Sequence, residues 1–396
     1  MSGTSADGID TALVRLKGDP LAPDWEVTAH RTEPFSPEIR KEILEAAADS
    51  LSVSGIAHLH VQLGAAYSDA LKTLLEQASI SADQIDAIGL HGQTVFHDPG
   101  GGVSFQLGSA AVVAHNLGCD VVYDFRSRDL AAGGEGAPLV PYADTVLLRD
   151  PDRDRIAQNI GGIANLTWLP AGRGLGGVTG FDTGPGNMVM DGLVQRGTGS
   201  ERQFDTDGEL AAGGEVISDL LDSWMEHPFL SREPPRSTGR EEFGAPFADE
   251  VWNRWGGDYP LADLVATALQ FTVESIGFSY ERFLPDRNRD LDVIVSGGGA
   301  RNPVLVERLA ARISPARLIA SDDLGLPVDS KEAVAFALLA DAFLMGVPAG
   351  IPAVTGAEEP VVLGSLVPGQ KRIIARFLTD TDAADDAGEN TGGGES

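Results

Sequence analysis

The chain has 396 residues, 42 % of them hydrophobic, which is long for one core and ordinary for a globular protein, so two domains are expected. Its 29 Lys and Arg stand against 59 Asp and Glu, a net charge of −30, and this argues against nucleic acid and anionic membranes, which bind clustered cations. The single cysteine, Cys119, excludes an internal disulfide and a cysteine-cluster metal site.

No apolar run approaches the ~20 residues of a membrane span, and the first residues lack the basic and apolar regions of a secretory signal. A cytoplasmic protein is the expectation. So acidic and lysine-poor a composition also suggests adaptation to a salty cytoplasm, because ~1 M salt shortens the screening length to ~3 Å and damps self-repulsion.

In chain order, "MSGTSADGID" is a small, polar, flexible turn that the strands "TALVRL" and "DWEVTAHRTEPF" follow. Pairing these two as a hairpin is expected to need a further strand ahead of Met1. "PEIRKEILEAA" opens with proline at a helix N-terminus, and "SGIAHLHVQLGAAYSDALKTLLEQA" is a long amphipathic helix. "IDAIGLHGQTVFHDPG" is a buried strand running into a polar loop. Strand "VSFQLG", helix "SAAVVAHNLG" and strand "CDVVYDF" then lead to the loop "RSRDLAAGGEGAPLVPYAD".

The pattern restarts with "RIAQNIGGIANLTWLP", a strand, Gly-Gly turn and strand. "GVTGFDTGPGN" is a strand entering a glycine-rich turn, with "MVMDGLVQRG" helical after it. Two long helices are expected near residues 208–226 and 262–284. "LDVIVSGGGARNPVLVERLAARI" is a buried strand, triple-glycine turn and helix, and "SKEAVAFALLADAFLMG" is a last apolar helix. Two halves that each begin with a hairpin and alternate strands with helices point to an α/β protein of two similar lobes with a cleft between them. The final 18 residues have no apolar side chain larger than alanine and are expected to be a disordered acidic tail, residues 379–396.

Four glycine-rich turns follow apolar strands, at Gly3–Asp10, Gly161–Gly162, Gly184–Gly186 and Gly297–Gly299. Glycine lets backbone N–H groups face a ligand and lets the ligand approach the main chain. Neither a P-loop nor an early dinucleotide-binding motif is present, so a phosphate cradle here would use amides, hydroxyls and a metal. In the first turn Thr4 and Ser5 can donate to phosphate, and Asp7 and Asp10 either hold Mg²⁺ or merely cap a turn. Asn165 and Thr167 are the polar residues of the mirroring turn.

Asp182, in "FDTGPGN", is either a general base between apolar residues and free amides or an aspartate bonded to its own turn. Arg126 and Arg128 are candidate anion clamps. His91 and His97 suit orienting or substrate-binding roles better than zinc. Glu332 is either a first-turn acid favoured by the helix dipole or a polar head facing the cleft.

Taken together, "MSGTSADGID", "HGQTVFHDP", "DFRSRDLAAGGEGAPLVP", "QNIGGIANLT", "FDTGPGN", "PPRSTGREEF", "SGGGARN", "DSKEAVAFALLA" and "IPAVTGA" resemble, in order, the motifs of anhydro-N-acetylmuramic acid kinases, up to about residue 367. The resemblance implies the actin-like ATPase fold: two ribonuclease-H-like lobes with a nucleotide cleft between them. The N-terminal lobe would be residues 1–150, completed by a returning segment near 345–376, and the C-terminal lobe residues 151–344. It implies an ATP-dependent kinase that hydrolytically opens 1,6-anhydro-N-acetylmuramic acid and phosphorylates O6. A kinase for a different anhydro-sugar and a non-catalytic sugar-binding protein are the alternatives.

Carried over, Asp182 would be the base. Gly3, Thr4, Ser5, Ala6, Asp7, Gly8, Ile9, Asp10, Gly161, Gly162, Asn165, Gly297, Gly298 and Gly299 would bind ATP. Thr94, His97, Arg126, Arg128, Gly184, Asn187 and Glu332 would bind the sugar, with Asp7 and Asp10 on Mg²⁺. A homodimer without nucleic-acid or membrane partners is implied. The resemblance departs at its start, where the family carries a short apolar strand ahead of this glycine-rich turn.

Overall fold

The computed structural model describes residues 1–3, 6–285 and 291–370. Thr4, Ser5, the end of the expected returning segment and the acidic tail lie outside the described residues. The chain divides into two compact α/β units.

Unit 1 comprises Met1–Leu139, Glu332–Gly350 and Ala357–Ser396. Its first strands, β1 (Gly8–Lys17) and β2 (Asp24–Pro34), pair antiparallel along their whole length. The hairpin therefore closes on itself, contrary to the expectation that it needs a strand ahead of Met1. After two helices, β3 (Ala87–Leu90) leads into β4 (Gln93–Asp98), which pairs with β5 (Val103–Leu107) where a polar loop was expected. β6 (Asp120–Tyr123) lies parallel to β3. The long helix Val53–Ala78 starts where the Ser52 side chain accepts from the Gly55 N–H and ends at a left-handed Ser79. Leu59, Leu63, Tyr67 and Leu74 fall on one of its faces and are buried in this unit's core.

Unit 2 comprises Val140–Lys331 and Ile351–Gly356. β7 (Asp154–Ile160), β8 (Ile163–Leu169) and β9 (Thr179–Pro185) form an antiparallel meander. β10 (Leu291–Ser296) runs parallel to β7, and β11 (Arg317–Ala320) parallel to β10, giving the order β11-β10-β7-β8-β9. That is the ribonuclease-H-like arrangement. Every residue of β10 is buried, as a parallel strand covered on both faces requires. Helix Leu261–Phe283 is long and apolar enough to cross a membrane, yet it is the central helix of this core and mostly buried. The helix expected over 208–226 is instead two, Glu209–Gly213 and Ser218–Met225. Gly214 is extended between them, and a Cβ there would overlap the backbone of Ala262. The chain then returns to unit 1, where β12 (Ser365–Val367) adds antiparallel to β6.

The boundaries between units differ from the expected 150 and 344. Helix Val140–Leu148 belongs to unit 2, where Asp144 accepts from the Thr167 hydroxyl at 2.8 Å and pairs with Lys331 at 2.8 Å. Helix Lys331–Leu344 belongs almost wholly to unit 1. Phe336 packs on the His91 and Phe125 rings, and a Cβ at Gly89 would overlap the Phe336 carbonyl.

Candidate active site

Asp182 sits on β9 next to the buried Phe181. Its partner comes from a distant loop rather than from its own turn: the Thr238 N–H donates to Oδ2 at 2.8 Å. Arg236 fixes that loop. Its Nε donates to the Asp182 carbonyl at 2.9 Å, and its own carbonyl accepts from the Asp182 N–H at 3.2 Å. The rest of the guanidinium donates to the carbonyls of Phe229, Leu230 and Arg232 and to Ser279 Oγ, with its face against Phe181, Phe229 and Phe283. Burial pushes the Asp182 carboxyl up to about 6, against the opposing pull of the Thr238 N–H and the Arg236 charge. Glu242 accepts from the Thr238 hydroxyl at 2.6 Å and pairs with Arg232, so the loop is anchored on both sides of Thr238.

Three glycine turns of unit 2 converge beside the start of helix Met188–Gly197. The Gly186 and Met188 N–H groups donate to the Gly162 carbonyl at 2.9 and 3.2 Å, and the Asn187 N–H to the Gly161 carbonyl at 2.7 Å. A Cβ at Gly186 would overlap the Gly161 carbonyl. Gly297 has φ +83°, and a Cβ there would lie 2.6 Å from Asn159 Oδ1 and 2.7 Å from the Ile160 carbonyl. Asn187 stands between Gly298 and Gly299. Backbone is packed on backbone here, which fixes the three turns against one another. Asn165 is on β8, and its carbonyl accepts from buried Gln158 at 2.9 Å. Gly184, at φ +135°, faces Ser275 and Leu230, so it serves the packing of β9 on helix Leu261–Phe283.

In unit 1 the first turn is tied to the β3–β4 junction. Ser2 Oγ bonds the Tyr67 hydroxyl at 2.6 Å, and Gln93 Nε2 donates to the Gly3 carbonyl at 3.0 Å. Ala6 and Ile9 are buried, Asp7 is exposed, and a Cβ at Gly8 would press on the Glu33 carbonyl at 2.7 Å. Asp10 Oδ1 accepts from the Thr32 hydroxyl at 2.6 Å. The fit to a cation is one of chemistry: Asp7 just ahead of β1 and Asp10 within it are two carboxylates three positions apart, a donor set that suits a Mg²⁺ retaining water and phosphate ligands.

Arg126 is half-buried and donates to His91 Nε2 at 2.9 Å and to the Gly136 carbonyl at 2.7 Å. Burial lowers its guanidinium to about 10, opposed by the charges of Glu332 and Asp129. His91, buried beside it, is held well below the usual histidine range by burial and by that cation. It is thus the neutral tautomer whose Nδ1–H donates to the Gly92 carbonyl at 2.8 Å and whose Nε2 accepts from Arg126. Thr94 Oγ1 accepts from Gln106 at 3.3 Å and His97 Nδ1 bonds Ser104 Oγ at 2.9 Å, both across the β4–β5 ribbon. Arg128 is exposed on the short helix Ser127–Ala131.

The expected residues therefore fall into two sets. Asp182, Gly161, Gly162, Asn165, Gly184, Asn187 and Gly297–Gly299 belong to unit 2; the first turn, Thr94, His97, Arg126, Arg128 and Glu332 belong to unit 1. Sequence reasoning missed Arg236 and Thr238, while it singled out His91 for an orienting or substrate-binding role. The signal for the first two was an arginine and a hydroxyl residue in the proline-bearing stretch "PPRST", a loop that reads as surface.

The family described as anhydro-N-acetylmuramic acid kinase matches residues 1–369. A protein of that name from Gloeobacter violaceus is 44 % identical over 373 residues, covering 93 % of this chain and 97 % of its own. One from Bacillus cereus (strain AH187) is 40 % identical over 374 residues, covering 92 % and 97 %. Among solved structures, component A of the (R)-2-hydroxyglutaryl-CoA dehydratase of Acidaminococcus fermentans is similar at 13 % identity and a TM-score of 0.40, over 83 % of this chain and 93 % of its own.

Proposed function

The chain belongs to the anhydro-N-acetylmuramic acid kinase family, and from that premise we propose how its own residues open the anhydro ring and prepare O6 for phosphorylation. It is an ATP-dependent kinase acting on 1,6-anhydro-N-acetylmuramic acid. The observation that carries the residue-level reading is the half-buried Asp182 carboxylate, raised to about 6 and held by one backbone N–H on Oδ2.

With Oδ2 so held, Oδ1 is the oxygen that takes a proton from water. A carboxylate that titrates near 6 is ionised at neutral pH and is a stronger base than an ordinary aspartate. The water oxygen forms a bond to C1, the C1–O6 bond breaks, and its electron pair remains on O6. O6 then attacks the γ-phosphorus and ADP leaves, giving N-acetylmuramic acid 6-phosphate. The Arg236–Thr238 loop fixes the carboxylate's direction, and alignment of this kind supplies much of the acceleration in phosphoryl transfer.

The turn from Gly3 to Asp10 would hold the phosphates. Asp7 and Asp10 would hold Mg²⁺, whose charge offsets that of the phosphates. Gly161, Gly162 and Gly297–Gly299 would face the nucleotide, with Asn187 between the turns. Arg126, kept cationic by Glu332 and Asp129 and oriented by neutral His91, would bind the sugar with Thr94 and His97. We place the enzyme in the cytoplasm as a homodimer.

The test is ADP release dependent on 1,6-anhydro-N-acetylmuramic acid, with mass spectrometry of the product. A product heavier than the sugar by one phosphate and one water supports the reading. ADP release indifferent to the sugar overturns it.

A further inference from the structure

Two helices of unit 2 rest on the same aromatic ring of its core. Trp224 of helix Ser218–Met225 meets Phe271 with ring centroids 5.6 Å apart, and Phe247 of helix Ala245–Trp255 stacks on Phe271 at 6.1 Å. Both helices line a cavity of about 740 Å³, within the ~300–1,000 Å³ of small-ligand sites. Neither Asp182 nor any of the glycine turns lines it. Leu220, Trp224, Phe247 and Val251 are its buried or half-buried apolar residues.

Carboxylates and aromatic rings share the rest of the lining. Asp219, Glu226, Glu241, Glu242 and Glu250 stand beside the Arg254 guanidinium, a balance that repels an anionic ligand. The acidity of the whole chain accounts for those carboxylates but not for the rings. Trp224 and Trp255 are two of the chain's five tryptophans, and Tyr259 is one of its five tyrosines. The Arg254 guanidinium lies 4.9 Å over the Trp255 ring, and Tyr259 tilts against that ring at 6.1 Å, so both rings are held in place at the rim.

The unpaired donors narrow the ligand further. Trp224 is 7 % exposed, yet its indole N–H has no acceptor among the described residues, and its nitrogen is not sealed from solvent. The cavity that Trp224 lines is where that N–H is open. His227 Nδ1 accepts from the Phe229 N–H at 3.3 Å while its ring packs on Phe243 and Phe247. Burial holds this histidine below its usual range, so at pH 7 the ring is neutral and Nε2 carries the proton, a second donor without an acceptor among the described residues. An organic cation would satisfy the carboxylates and the rings but neither N–H. A saccharide satisfies all three: its hydroxyls donate to carboxylates, its oxygens accept from N–H groups, and its C–H face lies on aromatic rings.

We propose that this cavity is a separate, non-catalytic site for a neutral saccharide, with an acceptor oxygen of the sugar on the Trp224 N–H and its C–H face on Trp255 and Tyr259. The site adjoins the catalytic loop without belonging to it: Glu242, which lines the cavity, also accepts from the Thr238 hydroxyl. The test is a saturation-transfer NMR titration of the full chain with N,N′-diacetylchitobiose, which carries hydroxyl donors and amide acceptors. It needs no turnover, so its outcome is separate from that of the ADP-release assay. Saturable binding is expected, weakened about 3–10-fold by Trp224→Phe, which keeps a ring and removes one neutral hydrogen bond. Trp255→Ala, at the half-buried rim, should weaken it at least about fivefold, and it decides the matter where Trp224→Phe fails to fold. Arg126→Gln should leave the affinity within about twofold, since Arg126 lies in the other unit. No saturable binding overturns the proposal. So does binding that Arg126→Gln abolishes and both tryptophan variants leave unchanged, because the sugar is then at the catalytic site. Binding of cadaverine in place of the disaccharide overturns it as well, the occupant then being an organic cation.

Discussion

Asp182→Asn separates the carboxylate's chemistry from its place in the fold. The asparagine oxygen can still accept from the Thr238 N–H, and the bonds between Asp182 and Arg236 are backbone or carbonyl bonds that the substitution leaves intact. The base is lost, so kcat falls by roughly 10²–10⁴. Stability moves the other way. The folded carboxyl sits at about 6 against 3.8 unperturbed, a difference of about two pH units at about 1.4 kcal/mol each, or about 3 kcal/mol. Because the folded value is raised, the native state holds the proton more tightly between those two values. Stability therefore falls as pH rises through that window, and the full cost is present at pH 7. The neutral asparagine avoids it, so its Tm at pH 7 should exceed wild type by roughly 5 °C and match it near pH 4. In the wild type, kcat/KM should fall about tenfold per pH unit below about 6. Sugar-dependent ADP release from pH 5 to 8 and thermal melts at both ends provide the readings. An Asp182→Asn enzyme with wild-type turnover, or one that melts lower at pH 7, would refute the assignment of Asp182 as a partly desolvated base.

Three further substitutions probe the surroundings. Arg236→Gln removes the charge that holds the Asp182 carboxyl down, so the acid limb of the pH–rate profile should move above 6, and kcat should fall more than KM changes. Lys331→Met leaves Asp144 as an uncompensated buried charge and should cost about 3–5 kcal/mol in urea unfolding, most of it recovered when Asp144→Leu is added. Gly297→Ala forces a Cβ onto Asn159 and Ile160 at a left-handed φ; titration calorimetry should show ATP affinity reduced at least about tenfold with sugar affinity little changed.

What the sequence made legible depended on whether the cause was local. The apolar run of β10, the Gly-Gly hairpin between β7 and β8 and the strand under Asp182 are each set by neighbours in the chain, and all are where periodicity puts them. The environment of Asp182 is not local: its contacts with Arg236 and Thr238 span 54 and 56 residues, and "PPRST" has no period that announces a buried arginine. Arg126 illustrates a different limit. Residue type alone marks an anion clamp, but the guanidinium is already committed to His91 and Gly136, so its fork is oriented before any ligand arrives.

The boundary at residue 331 was hidden for a third reason. An apolar helix shows that it is buried without showing against what, and "SKEAVAFALLA" satisfies helix-start rules in either unit. Its first two residues decide the matter. Lys331 reaches Asp144 and Ser296 in unit 2, while the Glu332 charge acts on Arg126 and the Met1 amine in unit 1. Adjacent residues of opposite charge are thus committed to different units, and the chain passes from one unit to the other at the peptide bond between them. A dipole-favoured acid in a first turn and an anchored crossing point look alike in sequence, because the same two residues meet both demands.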